Sequence, residues 1–189
     1  MNISDTDLII KAQQGDVSAF ESLIYRYDKN VLSLALKYVN DRDEAKDIYQ
    51  EVFIRVFKGL KNFRFGSEFS TWLYRITTNV CLTFKSRKKK NYTVSINKEN
   101  EEGNSLEIKA DENDPASPGV HLSSVEINEK VNTELEKLPA KQKMTFILKH
   151  YEGYKIREIA EMMKCKEGTV KKNLFDATKK LKSQLQYLM

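Results

Sequence analysis

Apolar side chains return along this chain at steps of three and four, and that rhythm restricts it to helices. Phe20, Leu23, Ile24, Tyr27, Val31, Leu34 and Ala35 fall on one side of a helix over 17–39. Before it, Asp5 or Ser4 can cap a helix through Leu8, Ile9 and Ala12 that should end near Gly15-Asp16. After it, Asp41-Arg42-Asp43-Glu44 places acids in the first turn of a helix running from Ala45 to Leu60, where they complement the helix dipole. No stretch reads as alternating strand and no internal repeat is present, so the first half is expected to be helical throughout.

Charge divides the chain into three. Residues 1–90 hold 16 Lys/Arg and 11 Asp/Glu, residues 91–124 hold 2 and 7, and residues 125–189 hold 14 and 9, so the segments carry +5, −5 and +5. Two basic blocks flank an acidic one, which suggests two polyanion-binding bodies joined by a segment that avoids DNA. Gly103, Pro115, Pro118 and Gly119 and the scarcity of large apolar groups make 91–124 a flexible linker. With 40% hydrophobic residues among 189, each block can form a compact core. The expected architecture is all-α: an N-terminal helical domain over 1–90, the linker over 91–124 and a C-terminal domain over 125–189.

No apolar run is long enough to cross a bilayer, and Met1-Asn2-Ile3-Ser4-Asp5 lacks the basic-then-apolar order of a signal peptide, so a cytoplasmic location is expected. Cys81 and Cys165 each sit in an apolar helical pattern without a second ligand at metal spacing, and they read as small buried hydrophobes. No cofactor or metal site is expected.

Three stretches of the first block carry more than core. In the helix over 45–60, Ala45, Ile48, Tyr49, Val52 and Val56 form the buried stripe, while Asp47, Gln50, Glu51 and Ile54 lie on the other side. That second side is either an ordinary solvated face or a strip for a protein partner with basic groups, which an isoleucine among acids favours. Next comes the aromatic loop Phe63-Arg64-Phe65-Gly66-Ser67-Glu68-Phe69, with Ser67 or Ser70 able to cap the following helix. That helix buries Leu73, Ile76, Val80 and Phe84 and leaves Trp72, Tyr74, Arg75 and Asn79 as exposed or half-exposed candidates for stacking on unpaired bases; the alternative is that Trp72 and Tyr74 finish the core. It ends in Lys85-Ser86-Arg87-Lys88-Lys89-Lys90, five cations in six positions, suited to phosphates without base preference.

The C-terminal block has the layout of a helix-turn-helix. Ile156, Ile159, Ala160 and Met163 form one amphipathic helix, Lys164-Cys165-Lys166 is a tight break, and a second helix opens on Glu167-Gly168-Thr169-Val170-Lys171-Lys172. Val170, Leu174, Ala177 and Leu181 share its inner stripe, which turns Lys172, Phe175, Asp176 and Lys179 outward to where a major groove would lie.

Asp47-Ile48-Tyr49-Gln50-Glu51-Val52-Phe53, Phe69-Ser70-Thr71-Trp72-Leu73-Tyr74-Arg75-Ile76 with Asn79, and Gly168-Thr169-Val170-Lys171, in that order, resemble a bacterial RNA polymerase sigma factor of the extracytoplasmic-function group. The resemblance covers both basic blocks. It implies a non-enzymatic subunit that directs core polymerase to promoters and assists melting, in an extracytoplasmic stress response. By the same resemblance Asp47, Gln50, Glu51 and Ile54 meet the polymerase clamp. Phe65, Ser67, Phe69 and Asn79 hold a flipped base of the minus-ten element, Trp72, Tyr74 and Arg75 support strand separation, and Lys85, Arg87, Lys88, Lys89 and Lys90 follow phosphates. Lys166, Thr169, Lys171, Lys172, Phe175, Asp176 and Lys179 meet the minus-thirty-five element. An anti-sigma protein is an implied partner; a small-molecule substrate and membrane insertion are not, and the chain is expected to be a monomer. The family usually has glycine where Lys164 stands, implying a left-handed backbone there, and often arginine at Asn173, Asp176 and Thr178.

Two other classes fit parts of the pattern. A stand-alone helix-turn-helix regulator would bind duplex DNA without polymerase, usually as a dimer, and no dimer helix is evident. A nuclease could use Asp43, Asp47 and Glu51 as metal ligands, but their spacing lacks a histidine, cysteine or second carboxylate cluster beside them to complete such a site.

Overall fold

The computed structural model describes residues 3–99 and 124–185, and every regular element among them is a helix. The first body contains α1 (Asp5–Gln13), α2 (Val17–Val39), α3 (Arg42–Leu60) and α4 (Phe69–Glu99). The second contains α5 (Ser124–Glu136), α6 (Ala140–His150), α7 (Ile156–Met162) and α8 (Glu167–Leu185). Helix α4 continues to Glu99, into the stretch read as the start of the linker; residues 100–123, most of that linker, lie outside the described residues.

Short side chains start these helices by accepting hydrogen bonds that the first turn cannot satisfy internally. Ser4 caps α1 by accepting from the Asp7 N–H at 3.2 Å, Asp16 caps α2 through the Ala19 N–H at 3.0 Å, and Asp41 Oδ1 accepts from the N–H groups of Asp43 and Glu44, each at 2.9 Å. Ser70 lies inside α4, where the Trp72 N–H already donates to the Glu68 carbonyl at 3.1 Å, so it is not a cap. The chain reverses after α2 at Asn40, whose φ of 54° is left-handed and whose N–H closes on the Leu36 carbonyl at 2.8 Å. Asparagine tolerates that backbone better than other non-glycine residues because its short polar side chain can bond locally.

In the first body α2, α3 and α4 pack on one another, burying Leu23, Val31, Leu34, Ala35 and Tyr38 from α2, Ala45, Ile48, Val52 and Val56 from α3, and Leu73 and Val80 from α4. Each fully buried aliphatic side chain stabilises by about 1.5–3 kcal/mol, ahead of the conformational entropy it opposes. Helix α1 is tied across by Asp5, which accepts from the Arg26 guanidinium and the Tyr27 hydroxyl. Burial and that acid together hold the Tyr27 phenol well above its ordinary pKa, so it stays a donor. The second body has its own small core of Leu135, Leu138, Ala177 and Leu181.

The two bodies also share a core. Helices α6 and α7 pack on α2 and α4, and Met144, Ile147, Leu148, Ile159 and Met162 join the apolar cluster of the first body. Polar groups border the junction: Lys37 Nζ reaches Glu152 Oε1 at 2.7 Å and lies 5.7 Å from the centre of the Tyr151 ring. Buried Lys143 pairs with Glu136 and places its Nζ 5.4 Å from the centre of the Tyr38 ring. Cys81, fully buried here, is held as a thiol, its pKa pushed up to about 12 by burial; Cys165 is half-buried, and burial raises its pKa as well.

Ile48→Ala is expected to lower the unfolding free energy by about 2–5 kcal/mol, because its site in the three-helix core is closed on all sides. Ile54→Ala, six residues on and exposed, should change it by no more than about 0.5 kcal/mol. Paired denaturant titrations separate the two.

Candidate protein and nucleic-acid interfaces

Three surfaces project from this scaffold. The first is the outward side of α3. Its buried stripe fixes the helix rotation, so Asp47, Gln50 and Ile54 are exposed and Glu51 half-exposed, as the spacing predicts. Glu51 Oε1 accepts from Arg55 Nε at 2.7 Å one turn later, while Asp43 pairs with Lys46 at 3.0 Å. The strip is more apolar than its sequence suggested. Phe57 is 64% exposed and meets Phe20 edge-on at 5.2 Å between ring centres, and Ile24, Tyr49, Gln50, Phe53, Ile54 and Phe57 line an open groove of about 500 Å³. Phe57 lies three residues beyond Ile54 on the same face, a signal the spacing already held.

The second surface is the loop between α3 and α4. Phe63 is its hub, with ring centres 5.1 Å from Phe65, 6.0 Å from Phe69 and 5.1 Å from Trp72. Tilted and edge-on contacts of this kind fix the rings relative to one another. Phe65 takes a left-handed φ of 55° and is left 45% exposed at the rim. Trp72 is half-buried and fits closely on α3: a Cβ on Gly59 would stand 3.2 Å from its ring, so the helix needs glycine there or the indole must shift. Ser67, Arg75 and Asn79 are half-buried, and Arg87 is exposed. Lys85 and Lys88 to Lys90 belong to α4, but their side chains lie outside the described residues.

Two residues expected on this surface are in the interior. Phe69 is 5% exposed, packed against Tyr27, Phe63 and Trp72, so it supports the loop from below. Tyr74 is 4% exposed and packs edge-on against Tyr154, which precedes α7, at 5.1 Å between ring centres. Burial raises the pKa of both phenols. The reason is a second buried stripe on α4, formed by Tyr74, Thr78 and Cys81 at helical spacing beside the stripe of Leu73 and Val80. At Tyr74 the cover comes in part from Tyr154 of the second body, far along the sequence, and no local pattern announces it.

The third surface is the helix-turn-helix. Ile159, Ala160 and Met162 of α7 and Val170, Ala177 and Leu181 of α8 are buried; Met162 takes the inner place expected for Met163, which is half-buried. Glu158 accepts from the Lys155 N–H at 2.7 Å to start α7. The break turns at Lys164, whose φ of 50° is the left-handed backbone expected there, and the Cys165 N–H then closes on the Ala160 carbonyl at 2.9 Å. Lys166, Thr169, Lys171, Lys172 and Lys179 are exposed, Phe175 is 68% exposed, and Asp176 is half-buried. Among the described residues no group of three or more His, Cys, Asp or Glu is placed to hold a metal ion, and no helix is long and apolar enough to cross a membrane.

A two-body helical protein with an acidic and apolar helix face, an aromatic loop and a helix-turn-helix defines a class of transcription initiation factor, and comparison with known proteins agrees. Residues 23–91 match Sigma-70 region 2, and residues 128–181 match Sigma-70, region 4. The chain is 32% identical over 188 residues to the RNA polymerase sigma-H factor of Pseudomonas aeruginosa, covering 98% of this chain and 95% of that one. It is 33% identical over 200 residues to the ECF RNA polymerase sigma-E factor of Haemophilus influenzae (99% and 98% covered) and 35% identical over 192 residues to that of Escherichia coli K12 (99% and 97%). The fold is also that of the sigma factor RpoE bound to the anti-sigma factor NepR from Bartonella quintana (TM-score 0.64, 21% identity, 88% and 96% covered). CnrH bound to the cytosolic domain of CnrY is similar in the same way (TM-score 0.65, 18% identity, 96% and 97% covered). The chain belongs to the sigma-70 family, as an RNA polymerase sigma factor of the extracytoplasmic-function group that serves promoter-directed initiation.

Replacing Lys164 with glycine should relieve its left-handed strain and stabilise the second body by up to about 1 kcal/mol. The measurement is the thermal midpoint of the intact chain, which should rise by a few degrees with the helix content unchanged.

Proposed function

We propose that this sigma factor divides its work among the three surfaces as follows. The outward face of α3, with Asp47, Gln50, Glu51 and Ile54, docks on core RNA polymerase. The rim of the α3–α4 loop, with Phe65 and Ser67, together with Asn79, Trp72 and Arg75, holds the non-template strand of the minus-ten element. Arg87 and the lysines Lys85 and Lys88 to Lys90 follow its phosphates. Lys166, Thr169, Lys171, Lys172, Phe175, Asp176 and Lys179 meet the minus-thirty-five element, with Asp176 able to accept from a cytosine amino group. The chain has no chemistry of its own, acts in the cytoplasm and serves an extracytoplasmic stress response. An anti-sigma protein restrains it, as a solved neighbour of the same fold, the sigma factor RpoE, is bound by the anti-sigma factor NepR.

The observation that carries this reading is the composition of the α3 face. An acidic and amide row continues into exposed Ile54 and Phe57, an arrangement that repels DNA phosphates and suits a protein surface with basic and apolar groups. DNA-facing cations are concentrated elsewhere, after α4 begins and along α8.

Asp47→Lys with Glu51→Lys is expected to weaken binding to core polymerase by about tenfold or more, while the circular dichroism melt stays close to wild type. Unchanged affinity would remove α3 as the polymerase face. Asn79→Ala should alter preference at one minus-ten base by roughly five- to a hundredfold and leave polymerase affinity intact. Transcription from a promoter library randomised across that element reads both; an equal loss on every template would make Asn79 a structural residue instead.

A further inference from the structure

The amide of Gln13, at the end of α1, reaches across to the far end of α3. Its Nε2 donates to the Leu60 carbonyl and to the Phe63 carbonyl, each at 2.9 Å. Leu60 is the last residue of α3, so its carbonyl is one of those a helix leaves without an internal partner, and it also accepts from the Phe63 N–H at 3.0 Å. Phe63 is the hub of the aromatic loop. A primary amide has two N–H donors, and here both are used on the backbone on either side of the point where α3 ends and the loop begins. Gln13 is half-buried, and its partners are 47 and 50 residues away in sequence.

That placement does more than close a helix. Beyond that tie, the Phe63 N–H bond to the Leu60 carbonyl and the ring contacts hold the loop, while Phe65 carries a left-handed φ and the rim is exposed. The amide anchored on α1 adds the long-range tie on the Phe63 carbonyl, and the ring contacts pass that position to Phe65 and Trp72. Helix α1 lies before the stretch matched to Sigma-70 region 2, which begins at residue 23.

We propose that Gln13 is a positioning residue for minus-ten recognition: its two hydrogen bonds set the α3–α4 loop in the register that reads the displaced base. The inference rests on the loop having the role given above. Gln13 touches no nucleotide; it acts through the Phe63 backbone and the aromatic set.

The test uses intact chain with core polymerase on a mapped promoter of this sigma factor whose minus-ten element is randomised, with transcripts counted by sequencing. Gln13→Glu keeps size and shape but replaces the donors with acceptors facing two carbonyls, and Gln13→Met removes the donors without adding charge. Both are expected to flatten preference at the loop-read base by roughly three- to tenfold, the range that one amide–carbonyl bond is worth. Polymerase affinity and preference at the minus-thirty-five element should not move. Ile9→Val, a core change on the same helix, supplies the control: it lowers the thermal midpoint and leaves the minus-ten profile as it was.

A Gln13→Glu and Gln13→Met profile identical to wild type would overturn the proposal even if the proteins melt earlier. Flattening of equal size in Ile9→Val would also overturn it, since loss of stability alone would then suffice. If wild-type chain shows polymerase binding but no minus-ten preference at all, the role given to the loop fails first and Gln13 falls with it.

Discussion

Helix α4 must be covered on two sides, and the arrangement of the whole chain follows from that. Leu73, Tyr74, Thr78, Val80 and Cys81 of α4 are all buried, and α4 packs against α2 and α3 of the first body and α6 and α7 of the second. An amphipathic helix with one apolar stripe needs one neighbour; a helix with two adjacent stripes needs neighbours on both. The first body supplies part of that cover through α2 and α3. Another part comes from far along the sequence, Tyr154 against Tyr74 among it, so one apolar cluster runs through both bodies while Leu135, Leu138, Ala177 and Leu181 form a smaller one of their own.

The junction is therefore mixed in character. Apolar residues of α6 and α7 supply its area, whereas Lys37 with Glu152 and Lys143 with Glu136 introduce charge at its border and within it. A lysine as buried as Lys143 is tolerated because a carboxylate and the face of the Tyr38 ring take the place of water. Such pairs fix orientation more than they add stability, since desolvation offsets most of their attraction. Lys37 and Glu152, closer to solvent, contribute little net energy by the same reasoning.

Helix positions, caps and local faces were legible from residue spacing. Ser4 was among the caps expected for α1, Asp41 was read in the acidic first turn of α3, Lys164 fell in the expected break, and the outward row of α3 was found by its offset from Ala45, Ile48 and Val52, whereas Asp16 and Asn40 gave no start or turn signal that was read. The readings that failed were those in which a residue's environment is set by a distant part of the chain. Tyr74 beside Arg75 was read either as a DNA-side residue, which the family resemblance favoured, or as part of the core; only the packing of Tyr154 decides for the core. Phe69 misled for the opposite reason: it belongs to an aromatic cluster whose inner and outer members are indistinguishable by spacing. Gln13 gave no signal at all, because a glutamine near a helix end is ordinary until its carbonyl partners are seen.

The contact between Tyr74 and Tyr154 has a thermodynamic consequence. With 4% of its surface accessible, Tyr74 has no room for a nucleotide beside it while α7 stays docked. Any complex that brings Tyr74 to a base thus includes the free energy of undocking, and the affinity observed for that complex is the intrinsic one multiplied by the fraction of molecules already parted. By linkage, whatever binds only the parted form raises that fraction, and whatever seals the two bodies together lowers it. The same tyrosine pair that completes the core thereby sets a threshold for engagement of this part of α4.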